Sequence, residues 1–264
     1  MILVYCLKAT LANPINAAIA DFNQLSVYDI PQLTTNQLSE LQNGQLVTII
    51  DGGNGDNQPK RGIAYMLLEP GMTELWLACQ DDHFSLRDGT QFYALKKLSE
   101  DRFHWYTYVE MPAPLRDRHW VVDSWNNHQM AQQSLDTMWE HPWELVADWE
   151  EPSSAKSLTA LLRGITPEQF NKAVDIPYSQ GAWGLLNLGK KRMMVYHATA
   201  SAGGLIPEGL LVRLMLGTMQ EMFEEIDHNA RTEVLRHYRS SHGPMYDGGG
   251  KLIPKFTSPK NTTK

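Results

Sequence analysis

The 264-residue sequence has little cysteine, only Cys6 and Cys79, so at most one disulfide could form and no disulfide scaffold is available. It contains no HExxH and no paired Cys/His spacing, which argues against a metal centre, and His104, His119, His128, His141 and His197 read as surface or satisfied core histidines. Nor is there a phosphate loop: GGNG and DGGG lack the Lys-Ser/Thr and the following helix, and are turns. A nucleophile elbow is missing, so Ser124, Asp123 and His128 do not read as a triad. Positive charge is not in excess; the net charge of -7 and pI near 5.7 argue against nucleic acid or an anionic membrane surface as a general partner. No apolar run approaches the roughly 20 residues of a membrane span, and no internal repeat is found. The N-terminus, MILVYCLKATLANPINAAIADF, lacks a basic leading region although NAAIA supplies small residues. It leaves the compartment open between cytoplasm and, if this is an export signal, periplasm or secretion.

What the sequence does have is an apolar share of 42% and eight tryptophans, enough for a substantial core. TTNQLSELQNG reads as a short helix capped by Thr34 or Thr35 and stopped at Gly44. QLVTIID and RGIAYMLLEPG read as strands around the turn GGNGDNQPK, and TELWLACQDDHF as a helix that buries Cys79. FYALKKL, FHWYTYVEM, HWVVDSW and MWEHPWELVADW follow as four strands of an antiparallel meander. SSAKSLTALLRGI and TPEQFNKAV read as helices, and GAWGLLNL and RMMVYHATAS as a hairpin around GKK. From AGGLIPEGLL to about Tyr238 runs the longest helical pattern, with Leu211, Met215, Met219, Met222 and Ile226 in one stripe. The tail from Ser240 is rich in Gly, Pro, Ser and Thr and is expected to be loose.

Three stretches, in order, carry a resemblance. PAPLRDRHWVV resembles the proline-rich corner, Arg and strand of the StAR-related lipid-transfer (START) domain, in the helix-grip (SRPBCC) superfamily and of bacterial type. GAWGLLNLGKKRMMVYHATASAGG is similar to that family's penultimate hairpin, and GGLIPEGLLVRLM to the entry into its last helix. The similarity runs from about Leu38 to Leu235, with the middle around TMWEHPWELVADW matching nothing specific; DRHW departs from the more usual Arg-Asp followed by an aromatic. The resemblance implies an α+β helix-grip fold, a curved antiparallel sheet around a long C-terminal helix. It divides the chain into an N-terminal extension (1–33), a START-like domain (34–239) and a tail (240–264).

The resemblance also implies a hydrophobic cavity between sheet and helix holding a lipid, sterol or other apolar small molecule, with no cofactor and no metal, and leaves transient membrane contact open. Ligand-binding residues are then expected at Tyr106, Tyr108, Arg118, Trp120, Val122, Ser124 and Trp183. Met194, Tyr196, Leu211, Met215, Met219 and Met222 complete the set. Flexible Met side chains suit a wall that adapts to its ligand, although the same stripe serves a plain core. In HWVVDSW, Arg118, Trp120, Val122 and Ser124 share one face and His119, Val121, Asp123 and Trp125 the other; the even set is the expected wall. Arg118 is expected to be held by a carboxylate or by backbone carbonyls. Rival readings are a cyclase or dehydratase on the same fold, with Tyr106, Tyr108, Glu110 and Ser124 as acid and base candidates, and an interaction module without ligand.

Overall fold

The computed structural model describes residues 13–52, 60–80, 90–147, 164–201, 203, 208–239 and 243–254, with backbone alone for 208–211. Segments rich in β-branched and aromatic residues form the strands β1 (Val47–Asp51), β2 (Arg61–Leu68), β3 (Thr90–Lys97), β4 (Phe103–Val109), β5 (Arg118–Ser124), β6 (Met138–Leu145), β7 (Val174–Asp175), β8 (Tyr178–Asn187) and β9 (Arg192–Ser201). They make one curved sheet in the order β1-β2-β9-β8-β6-β5-β4-β3, antiparallel except where the short β7 pairs β5 in parallel. The expected meander β3–β6 and the β8–β9 hairpin are both present.

Strand alternation gives the sheet two different faces. On the outer face, Ile63, Tyr65, Leu186, Met193 and Val195 are buried by Ile15, Ile19 and Phe22 of α1 (Pro14–Asn23) and by Leu38 and Leu41 of α2 (Thr35–Gln42). Asn13 and Thr34 cap these helices, Thr34 through the reciprocal box with Gln37. Residues 13–33 are therefore part of the core rather than an extension. Between the helices, Asn16 and Asn23 each exchange two hydrogen bonds with the backbone of Leu33 and Ile30. Glu140, fully buried, accepts from the Ser26 hydroxyl, the Val27 N–H and Asn127 Nδ2, which ties residues 26–28 to the sheet.

The inner face carries α3 (Met72–Gln80) and the C-terminal helices. The single long helix expected from the pattern is three: α4 (His128–Gln133) and α5 (Pro167–Lys172) come earlier in the chain, then α6 (Glu208–Gly217), α7 (Met219–Arg231) and α8 (Glu233–His237). The interruptions fall at Thr218 and Thr232. Their hydroxyls donate to the carbonyls of Met215, at 2.9 Å, and His228, at 2.8 Å, competing with the helical ladder. Met219, Met222, Phe223 and Ile226 of α7 pack with Leu75, Trp76 and Ala78 of α3 and with Ala64, Leu68, Leu185 and Met194 of the sheet. The helix expected at SSAKSLTALLRGI lies, apart from its end, outside the described residues, as does the GGNGDNQPK turn apart from its edges.

Residues 243–254 are docked and not loose. Tyr246 bridges Leu252, Ile253 and Met245 join the inner core, and Lys251 pairs with Asp136. Gly248 lies so close to Trp139 that a Cβ there would stand 2.3 Å from the indole, a contact only glycine permits.

Candidate functional site

The ladder registers decide which side chains share the inner face. Met66 pairs with Met194 and Ala64 with Tyr196; Tyr196 pairs with Trp183, Trp183 with His141, and Trp143 with Ser124. Ser124 continues to Phe103, Val122 to Trp105, and Trp120 to Thr107. Arg118, Trp120, Val122, Ser124, Trp183, Met194 and Tyr196 are thus on one continuous face of the sheet, which α6 and α7 cover at its β2 and β9 side. The even set of β5 shares this face with Trp183, Met194 and Tyr196.

Met219 and Met222 are buried against this surface, and Met215 lies over Gly62, where a Cβ would meet its methyl carbon at 2.2 Å. The side chain of Leu211 lies outside the described residues. Tyr106 and Tyr108 are a correction: they pair with Val121 and His119 and face outward. There Tyr106 and Tyr108 form a small core with Val121 and Ile165, against which Phe170 of α5 packs. The reason is register, since Tyr106 and Tyr108 alternate with Trp105 and Thr107, which face inward.

Most of the inner surface under α7 is sealed, but a band of aromatics beside it is only half-buried: Trp105, Trp120, Trp143, Trp183 and Tyr196 all keep some accessible area. They are in mutual contact where the sheet is central. Trp183 and Tyr196 have ring centroids 4.6 Å apart, Trp143 and Tyr196 5.7 Å, and Trp183 meets Phe223 of α7 at 5.8 Å. Gly181 makes room for Trp143, since a Cβ at Gly181 would lie 2.5 Å from the indole and 2.3 Å from the His197 carbonyl. Further along the sheet, Phe92 is 42% exposed.

Ser124, Arg118 and Thr107 on this face are buried, and His141 is half-buried. The Ser124 side chain is 3% exposed and its Oγ has no hydrogen-bond partner among the described residues. Arg118, 6% exposed, donates to the carbonyls of Arg116 and Asp117. The carboxylate of Asp117 is used differently, accepting from the Tyr108 hydroxyl and from the Met111 N–H at 2.9 Å, while Asp123 is gripped by Arg102. Asp117 thereby closes the corner that contains the cis Ala113–Pro114 peptide. His141, read from the sequence as a surface or satisfied core histidine, is half-buried on the inner face beside Trp76 and Trp183. It shares one face of β6 with Trp139 and Trp143, a cue that existed in the sequence, but the strand's inner face could not be chosen without its partners. Of the four acid and base candidates, Glu110 is exposed, both tyrosines face outward, and Ser124 alone is on the inner face.

Compared with known proteins, neither a protein-family model nor a curated sequence matches the chain. Solved structures do. A STAR-related lipid transfer protein from Xanthomonas axonopodis superposes with a TM-score of 0.52 at 15% identity, over 71% of this chain and 94% of that one. The fold is that of START domains. Human STARD10 gives 0.53 at 12% identity over 73% and 74%, and human StAR-related lipid transfer protein 5 gives 0.50 at 11% over 83% and 97%. At these identities the likeness establishes the START-like helix-grip architecture alone. The half-buried aromatic band lies on the face of the sheet that also carries the C-terminal helices.

Proposed function

We propose that the chain binds one molecule of a lipid or other apolar small molecule between the inner face of the sheet and its C-terminal helices. The observation that carries this reading is the contrast between the two faces. Outer-face cores are closed by α1, α2 and α5, whereas the inner face keeps a contiguous row of tryptophans incompletely covered, beside a buried hydroxyl that has no hydrogen-bond partner among the described residues. Large aromatic side chains left partly accessible in a concave setting are what an apolar ligand buries on binding. Met215, Met219 and Met222 add an adaptable wall opposite them.

The test is native mass spectrometry of the purified chain after exposure to a total lipid extract, with tryptophan fluorescence as a second reading. A single adduct of lipid mass is expected. Trp120→Ala combined with Trp143→Ala should weaken capture at least about tenfold, the scale of losing roughly 1.4 kcal/mol of apolar contact. Tyr106→Phe, on the outer face, should leave it unchanged. If no adduct forms and fluorescence does not respond, the reading is wrong.

A further inference from the structure

The inner face holds two polar groups whose orientation specifies the chemistry of what they meet. Asn126 donates from Nδ2 to the carbonyl of Asp247, at 3.5 Å, in the docked C-terminal segment, which directs its Oδ1 toward the sheet. That oxygen lies 2.8 Å from His141 Nδ1. Since an amide oxygen only accepts, Nδ1 must carry the hydrogen, and Nε2 is left with its lone pair. Burial pushes the His141 pKa down to about 4, so the ring is neutral at neutral pH. Among the described residues no hydrogen bond reaches Nε2. Trp76 stands edge-on to the ring with centroids 6.2 Å apart, and Trp183 is its Cα partner on β8.

Ser124 is the diagonal neighbour of this histidine. It pairs with Trp143, two residues beyond His141 on the same face of β6, and diagonal positions across an antiparallel ladder lie roughly 7–8 Å apart at Cα. One oxygen atom between the two side chains could therefore meet both. Ser124 Oγ is buried and lacks a partner among the described residues, a state that costs about 1–3 kcal/mol unless something fills it.

Resting on the apolar-ligand reading, we infer that His141 and Ser124 form a seat for a single uncharged hydroxyl group at one end of that ligand. His141 Nε2 accepts the ligand's O–H and Ser124 Oγ donates to its oxygen. A carboxylate would bring its lone pairs against that of Nε2, and an ether or alkane has no hydrogen to offer, so the seat selects alcohols. Asn126 is a positioning residue: it fixes the tautomer from behind and relays the placement of the C-terminal segment to the seat.

The experiment uses the full chain, stripped of co-purifying lipid, with hexadecan-1-ol, hexadecyl methyl ether and hexadecane delivered from cyclodextrin and occupancy read by native mass spectrometry. The alcohol is expected to out-compete the ether by roughly tenfold, the scale of one buried hydrogen bond. His141→Phe should abolish that preference while leaving ether and alkane binding in place. Ser124→Ala, which removes one atom and keeps the test open should the His141 variant fail to fold, should lower it in part. Equal binding of alcohol and ether by the unmodified chain, or a preference that survives both substitutions, overturns the hydroxyl seat and leaves the apolar-ligand reading standing. Failure of all three probes to bind overturns both.

Discussion

At the scale of single residues, the charges in MPAPLRDRHWVV have separate tasks. Asp117 binds the corner together, Arg118 turns inward onto backbone carbonyls, and Arg116 donates to the Lys172 carbonyl at the end of α5. Asp117→Ala would strand the buried Tyr108 hydroxyl and the Met111 N–H, so a loss of about 2–3 kcal/mol in urea unfolding is expected, with ligand capture unchanged. His197 offers a second test. It is buried on the outer face, with Tyr28 edge-on to its ring, and burial pushes its pKa down to about 3. The unfolded chain, with an ordinary histidine near 6.5, takes up the proton first. Its contribution to stability is therefore full above about pH 6.5 and lost as the pH falls toward 3. Glu140, raised by burial, acts in the opposite sense, its contribution fading as the pH rises. Comparing melting temperatures of the unmodified chain and His197→Phe between pH 7 and pH 4 isolates the histidine: the variant should lose less. Which side chains share a face along β5 was legible from alternation alone. That Tyr106 and Tyr108 oppose them was not, because register between β4 and β5 depends on the geometry of the corner, and a one-residue slip inverts the assignment.

Among the elements, strands and hairpins were the most legible, since alternation bounded by Gly, Pro and Asn marks both their extent and their ends. Helix breaks were not, because Thr218 and Thr232 are ordinary helical residues until a hydroxyl finds the carbonyl one turn back. The segmented C-terminal wall has a measurable consequence. Because Thr218 interrupts the wall and α7 is anchored on α3, α6 is expected to move more than α7 when ligand enters. Bound ligand should slow amide exchange through Val212–Leu216 more than through Phe223–Ala230, and Thr218→Ala should narrow the difference. Equal slowing in both stretches would place the moving element elsewhere.

For the molecule as a whole, the division into extension, domain and tail was the least legible part. Residues 13–33 carry Ile15, Ile19 and Phe22 into the outer core, a stripe at helical spacing, and 243–254, of loop-like composition, carry Met245 and Ile253 into the inner one. In the second segment too few apolar residues anchor the chain for periodicity to reveal it, and in the first the stripe marks a helix without showing which face of the sheet it covers. Truncation before Gly243 should lower the melting temperature by several degrees, through exposure of Trp139 and loss of the Lys251–Asp136 pair. It should also weaken any preference for alcohols, because Asn126 loses the carbonyl that orients it.

The strand order bears on how such a chain folds. β3 to β6 pair with near neighbours in sequence, but β2 pairs with β9, Arg61 opposite Thr199, so the middle of the sheet closes the longest loop in the protein. Contacts of that separation cost the most entropy before they return any, and they set the pace of folding. The outer meander can assemble as soon as it is synthesised, whereas the stretch of sheet that α7 covers must wait for the last third of the chain. Until α7 is made, Met66, Trp183 and Tyr196 have no helix to shelter them, and the nascent protein passes through an interval in which an apolar molecule could be enclosed during folding instead of admitted afterwards.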